Sequence, residues 1–235
     1  TNTDWDVFAD LHGDSLGVGW NLGLRYELPE FGIGDVAVAF VYRSHVEQNL
    51  EGDVDFDRRG PTAIAAAAIT SDLWNDTDVE GRLVLPDSFT FAIMYAPIEE
   101  LTLEFDAILT RWSSYKELAI VYSEDPGGSG TSSKDTTNKQ WGDVWRLCFG
   151  AEYMPLEWLA LRLGYVYDMS PISENHEDYL LPSNDRHHFN FGIGVNYKNF
   201  IFDANYTYIY LEPRHIDQRI ESGVWDTELS GVTHI

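Results

Sequence analysis

The chain has 235 residues and a formal net charge of −24; a surface that acidic repels a phosphate backbone, which excludes nucleic acid as a partner. Mean hydropathy is −0.27, and no run of about eighteen apolar residues exists to cross a membrane as a helix. The single cysteine, Cys148, excludes an internal disulfide and reads as a small residue in a strand rather than a nucleophile.

In chain order, the first element runs from Leu16 to Leu28. Val18, Trp20, Leu22, Leu24, Tyr26 and Leu28 fall on one face, and Gly17, Gly19, Asn21, Gly23, Arg25 and Glu27 fall on the other. That period of two belongs to a strand with one face for lipid and one for water. The next element, Asp35 to Glu47, sets Val36, Val38, Phe40 and Tyr42 against Ala37, Ala39, Val41, Arg43 and His45. Leu101, Leu103, Phe105, Ala107 and Leu109 then alternate with Thr102, Glu104, Asp106, Ile108 and Thr110. Trp145, Leu147, Phe149, Ala151 and Tyr153 oppose Val144, Arg146, Cys148, Gly150 and Glu152. Leu159 to Asp168, His188 to Tyr197 and Phe202 to Tyr210 repeat the pattern, and no helical period explains these runs.

The connections alternate between short and long. Pro29 to Gly34, Ala96 to Glu100, Pro155 to Glu157 and Lys198 to Asn199 read as tight turns on the periplasmic side. His45 to Arg82, Ser113 to Gln140, Met169 to Arg186 and Leu211 to Trp225 are long, polar and acidic, and read as extracellular loops. Short turns on one side and long loops on the other mark an antiparallel transmembrane β-barrel; a soluble sandwich has no reason for that asymmetry. Tyr26, Tyr95, Tyr153, Trp158 and Tyr197 flank the short turns, and Tyr42, Trp112, Tyr167, Tyr208 and Tyr210 approach the long loops, as two interfacial girdles would. The expected location is the bacterial outer membrane, with its lipid and lipopolysaccharide as neighbours. Divalent cations could bridge the loop carboxylates to lipopolysaccharide, against the plainer reading of a solvated acidic surface.

The polar faces place Arg25, Arg43, Glu104, Asp106, Arg146, Glu152, Arg162, Asp168 and Asp203 inward. Mixed charges at that density are expected to pair across a filled or narrow lumen, Arg146 with Glu152, with Asp106 or with a plug residue outside this chain. In the first long loop, Ile64 and Ile69 bound an apolar patch that could line a capture groove or pack on the barrel rim. His176, His187 and His188 lie among acids, but their spacing fits no standard metal site, and His187 and His188 face opposite sides of a strand. Asp106, Glu104 and His188 could be assembled into an acid–base story, yet no serine in a nucleophile motif accompanies them, so no enzymatic activity is expected.

Gly19-Trp-Asn-Leu-Gly23, Tyr42-Arg-Ser44, Leu85-Pro86, Thr110-Arg-Trp-Ser113, Trp141-Gly-Asp-Val-Trp-Arg146, Tyr167-Asp-Met-Ser-Pro171 and Leu181-Pro-Ser-Asn-Asp-Arg186 follow one another in an order and spacing that resemble the FadL/TodX family. The resemblance implies an outer-membrane transporter for passive uptake of long-chain fatty acids or aromatic hydrocarbons. It implies a monomer with no cofactor and no chemical step. The family barrel has fourteen strands around an N-terminal hatch, whereas about nine strand segments are legible here. By that resemblance residues 1–235 correspond to the C-terminal portion of the barrel, without the hatch, the early strands or the last strand. In the family a lysine just before the strand that here begins at Trp141 helps bind the ligand headgroup. Lys139 is its nearest equivalent, while strict spacing falls on Thr137. A structural or adhesin-type barrel, or a general porin, is the alternative without a specific hydrophobic ligand.

Overall fold

The computed structural model describes residues 7–29, 34–58, 75–126, 132–173, 183–216 and 227–235. The strands are β1 (Val7–Asp14), β2 (Asn21–Glu27), β3 (Asp35–Arg43), β4 (Val46–Arg58), β5 (Thr77–Leu85), β6 (Ser88–Ile98) and β7 (Leu101–Thr110). They continue with β8 (Glu117–Tyr122), β9 (Ser133–Asn138), β10 (Val144–Leu156), β11 (Leu159–Asp168), β12 (Arg186–Tyr197), β13 (Phe200–Ile216) and β14 (Thr227–His234). Two compact units divide the chain.

One unit is an open wall of nine strands in the order β14-β13-β12-β11-β10-β7-β6-β3-β2, with β14 and β2 at its edges. Every pairing in it is antiparallel. This is a section of barrel wall, as the alternation predicts. Glu99-Glu100, Glu157-Trp158 and Lys198-Asn199 join β6 to β7, β10 to β11 and β12 to β13. The first two hairpins carry register irregularities between Tyr95 and Ile98 and between Tyr153 and Leu156. Pro97 and Pro155 fall inside those intervals, where a residue with no N–H to donate leaves the ladder intact. Before β3, Gly34 adopts φ +100° against the Ala96 carbonyl, a conformation that a Cβ would strain.

The other unit is a five-stranded sheet, β1-β4-β5-β8-β9. It corrects the sequence reading in a specific way: within the stretches 45–82 and 113–140, taken as loops, residues 46–58, 77–82, 117–122 and 133–138 are strand. The cause is visible in its register, which sorts the sheet into two faces. Val54 and Val79 are buried at 2% and 5% exposure, whereas the opposite face pairs Asp10 with Asp55, Asp14 with Glu51, Glu51 with Glu80 and Asp53 with Asp78. Like charges directly opposite one another oppose pairing, so the sheet is held by its apolar face and its backbone ladder. The acids hid the period of two, since composition alone marks such segments as loops. The first predicted strand is also shorter than expected, with regular pairing beginning only at Asn21.

At the end away from the short turns, side chains tie neighbouring wall strands together. Asp87, between β5 and β6, is 3% exposed at its side chain. Arg111 Nε donates to both of its carboxylate oxygens at 2.9 and 3.1 Å, and Tyr42 Oη donates to it at 3.3 Å. The Ser113 amide donates to Asp143 at 2.9 Å, and the Trp112 and Trp141 rings meet at 5.0 Å. Further round, Asp185 accepts from the Tyr167 hydroxyl at 2.6 Å and the Ser170 amide at 2.8 Å. Asn184 Nδ2 donates to the Glu212 carbonyl at 2.8 Å.

Burial works against ionisation of Asp87, but the hydrogen bonds and charge of Arg111 outweigh it and hold the carboxyl below its ordinary range. Its contribution to stability is therefore present above about pH 4 and is lost as pH falls through the depressed value. Asp87→Asn should cost about 1–3 kcal/mol near neutral pH, because a charged hydrogen-bond partner is removed from a buried position. Urea unfolding in lipid vesicles across pH should show the gap between variant and parent closing under acid; a gap independent of pH would contradict the clamp.

Candidate functional site

The wall has two chemically distinct faces, and most of the sequence-predicted site residues lie on the polar one. Glu152 on β10 faces Arg162 on β11, which faces Gly192 on β12. Arg162 Nε donates to Glu152 at 2.6 Å and its Nη1 to Asp203 on β13 at 2.7 Å. The guanidinium thus reaches from its own strand over β12 to β13. Two glycines open that path. A Cβ at Gly192 would stand 3.1 Å from the Arg162 Cβ, and one at Gly194 would stand 2.8 Å from Asp203 Oδ1 and 3.0 Å from Arg162 Nη1. Side chains of β10, β11 and β13 are thereby interlocked across β12, although each ion pair, half exposed, adds little by itself.

Beside this clamp is a polar depression of about 280 Å³, lined by Glu104, Asp106, Cys148, Arg162, Asn190 and Asn205. Glu152 and Arg162, both placed inward by their parity, are paired with one another, and Asp203 completes them. Of the partners expected for Arg146, Glu152 is taken by Arg162, and Arg146 stands opposite Asp168 and Ile108 in the sheet. Asp168 itself pairs with Arg186 at 3.2 Å. Arg25 is not brought to the cluster, because it pairs at 3.1 Å with Glu27 on its own edge strand β2. Arg43 ends β3 opposite Asn21 and Ser88.

Lys139 belongs to the other unit, where it is 2% exposed and engaged by neighbouring groups. Ile64 and Ile69 lie outside the described residues, as does His176. His187 is at the rim on the apolar face, with Nδ1 2.7 Å from the Tyr165 hydroxyl and Nε2 2.6 Å from Glu212. Its ring stacks on Tyr167 at 5.0 Å. Among the described residues no three His, Cys, Asp or Glu side chains gather closely enough to hold a metal ion. The residues that sequence reasoning missed are Asp87, Asp185 and Glu212. All stand outside the clean alternation, and the first two adjoin or lie within the motifs quoted above.

The apolar face is indented by a groove of about 540 Å³, with Ile93, Leu103, Phe105, Ala151, Leu163 and Phe191 among its lining. Its floor row runs Tyr95, Leu103, Ala151, Leu163, Phe191 across five strands. Phe105, Phe149, Tyr165 and Phe189 form the adjacent row, with ring centroids 4.7, 6.4 and 5.4 Å apart in succession.

The glycine corridor makes a direct test. Gly194→Val should separate Arg162 from Asp203 and destabilise the wall. The double variant Gly194→Val, Asp203→Ala should then be no less stable than Gly194→Val alone, because both remove one contact. Full additivity in denaturant titrations would show that Gly194 is not there for Arg162.

A family model described as outer membrane protein transport protein (OMPP1/FadL/TodX) matches residues 2–234. The outer membrane protein NMB0088 of Neisseria meningitidis serogroup B is 30% identical over 219 residues, covering 87% of this chain and 45% of the relative. The long-chain fatty acid transport protein of Escherichia coli K12 is 25% identical over 189 residues, covering 76% of this chain and 38% of the relative. Among solved structures, a Pseudomonas aeruginosa FadL homologue superposes with a TM-score of 0.68 at 20% identity, covering 94% of this chain and 52% of that one. The Ralstonia pickettii toluene transporter TbuX superposes with a TM-score of 0.58 at 17% identity, covering 88% and 46% respectively. The chain spans less than half the length of the curated relatives it matches. It belongs to the OMPP1/FadL/TodX family of Gram-negative outer-membrane β-barrel proteins.

Proposed function

We propose that the protein carries hydrophobic molecules across the outer membrane by passive uptake, without a chemical step or a cofactor. The observation that carries this reading is the match of nearly the whole chain to the family model, together with the relation to fatty acid transport proteins. The wall adds a physical argument. Its exposed apolar face suits hydrocarbon, with Leu163 at 60% and Phe202 at 62% exposure. The charge-paired polar face suits a lumen filled by protein rather than an open aqueous pore. Such a barrel would act as a monomer whose lumen wall is Glu104, Asp106, Arg146, Glu152 and Arg162, with Arg25 and Arg43 nearer its edge.

Fatty acid and aromatic hydrocarbon differ in one respect that this chain can answer: only the former brings a carboxylate. A carboxylate removed from water requires a cation or several donors, and we assign that role to Lys139, whose burial would shield the pair from solvent. Ile64 and Ile69 would line an apolar capture groove for the acyl chain. An adhesin-type barrel or general porin would take up no such ligand.

Expressed in an outer membrane lacking its own fatty acid transporter, the natural protein should restore growth on oleate, with saturable oleate binding after purification. Lys139→Ala should weaken oleate binding about tenfold, the loss of one charge-assisted contact, and leave binding of an uncharged aromatic unchanged. Absence of saturable binding of either class, with the barrel folded, would sink the transporter reading.

A further inference from the structure

We infer that the groove on the apolar face, centred on Ala151, is a binding site for the acyl chain of a phospholipid in the leaflet nearest the short turns. The inference rests on the reading above that the apolar face meets hydrocarbon. Three observations point to that occupant. First, the groove is lined chiefly by apolar residues, with Glu104 and Asn190 the charged and amide members of its lining, and opens on the surface that must face lipid in an outer-membrane barrel, so it is continuous with the protein–membrane interface.

Second, its shape comes from a definite mismatch in side-chain size. Ala151 stands between Leu103 and Leu163 in the floor row, and the adjacent row is a bank of rings in contact, from Phe105 and Phe149 to Tyr165 and Phe189. Those rings hold one another in place, and Tyr165 is further fixed by the 2.7 Å contact of its hydroxyl with His187. A void against so rigid a bank would forfeit dispersion contacts along its whole length, and a flexible hydrocarbon chain recovers them. The volume of about 540 Å³ lies within the range of small-molecule sites, roughly 300–1,000 Å³.

Third, the groove lies low on the wall. Leu103 is two residues beyond Leu101, where β7 leaves its turn, and Leu163 is four beyond Leu159, where β11 does. At about 3.3 Å per residue this places the floor in the half of the membrane on the short-turn side. A phospholipid whose headgroup sits at those turns would lay a chain directly along it.

The test uses the natural protein in outer-membrane vesicles. Phosphatidylethanolamine with a diazirine in mid-chain is photolysed, and the labelled residues are mapped by mass spectrometry. Leu103, Ala151 and Leu163 should be labelled about fivefold more than Phe202 and Ala204, which lie on the same face of β13. Ala151→Phe should abolish most of that excess, and Ala151→Leu, a milder filler, should reduce it; heat-modifiable migration reports that each variant is folded. Even labelling of the apolar face, insensitive to both substitutions, would overturn the site and reduce the groove to ordinary annular contact. Labelling by a diazirine fatty acid that phosphatidylethanolamine fails to displace would overturn it in favour of a substrate passage. Labelling centred instead on Asp106 and Asn205, which line only the polar depression, would overturn the assignment of faces itself, which separates failure of the inference from failure of the reading beneath it.

Discussion

A backbone that crosses hydrocarbon must pair all of its N–H and C=O groups within the protein, since no water is there to accept or donate. The wall sheet is a direct response to that constraint. Every wall strand between the two edges β2 and β14 has an antiparallel neighbour on both sides, and side chains are left to divide by parity between two media. Everything else follows from this division. The apolar parity can be ringed and greasy, the polar parity can carry charge, and a shift of one residue would exchange the two along a whole strand.

Within that frame, the side chains do three different jobs. Rim residues such as Asp87, Arg111, Asp143 and Asp185 tie adjacent strands where the wall gives way to longer connections. The polar face uses a different device. Gly192 and Gly194 give up side chains so that one guanidinium, Arg162, can bind carboxylates on strands either side of β12. The apolar face relies on ring-to-ring packing and leaves one small residue, Ala151, as a dent in an otherwise bulky row. In the five-stranded unit the balance is different again: facing acids weaken the β1–β4 and β4–β5 pairings, and buried valines on the opposite face offset them.

The parts legible in the sequence are those where parity and medium coincide. Phe189, Phe191 and Ile193 against His188, Asn190 and Gly192 could be read from the sequence, and so could the turn at Lys198-Asn199, whereas the turn read at Pro155 to Glu157 falls at Glu157-Trp158 because β10 runs on to Leu156. The hairpin β4–β5 was not legible, because Glu51, Asp53, Asp55, Asp78 and Glu80 make an acidic strand look like a loop. The salt-bridge partners were only half legible. Parity places Arg146 and Arg162 on the same face as Glu152, but register decides which arginine reaches it, and register is a property of the assembled sheet. The Asp87 clamp joins residues 24 positions apart in sequence outside the alternating segments, and only the family motifs flanking it hinted at its existence.

The central claim is that a single parity rule governs what each wall residue touches, and the most direct test is a site-by-site scan along β12. Single cysteines from Phe189 to Ile193, each in a Cys148→Ser background, would carry a spin label in vesicles, with oxygen and a water-soluble nickel complex as competing relaxation agents. The account predicts oxygen access at Phe189, Phe191 and Ile193 and its loss at Asn190 and Gly192, in strict alternation. Uniform exposure to one agent along the strand, or a period other than two, would contradict it.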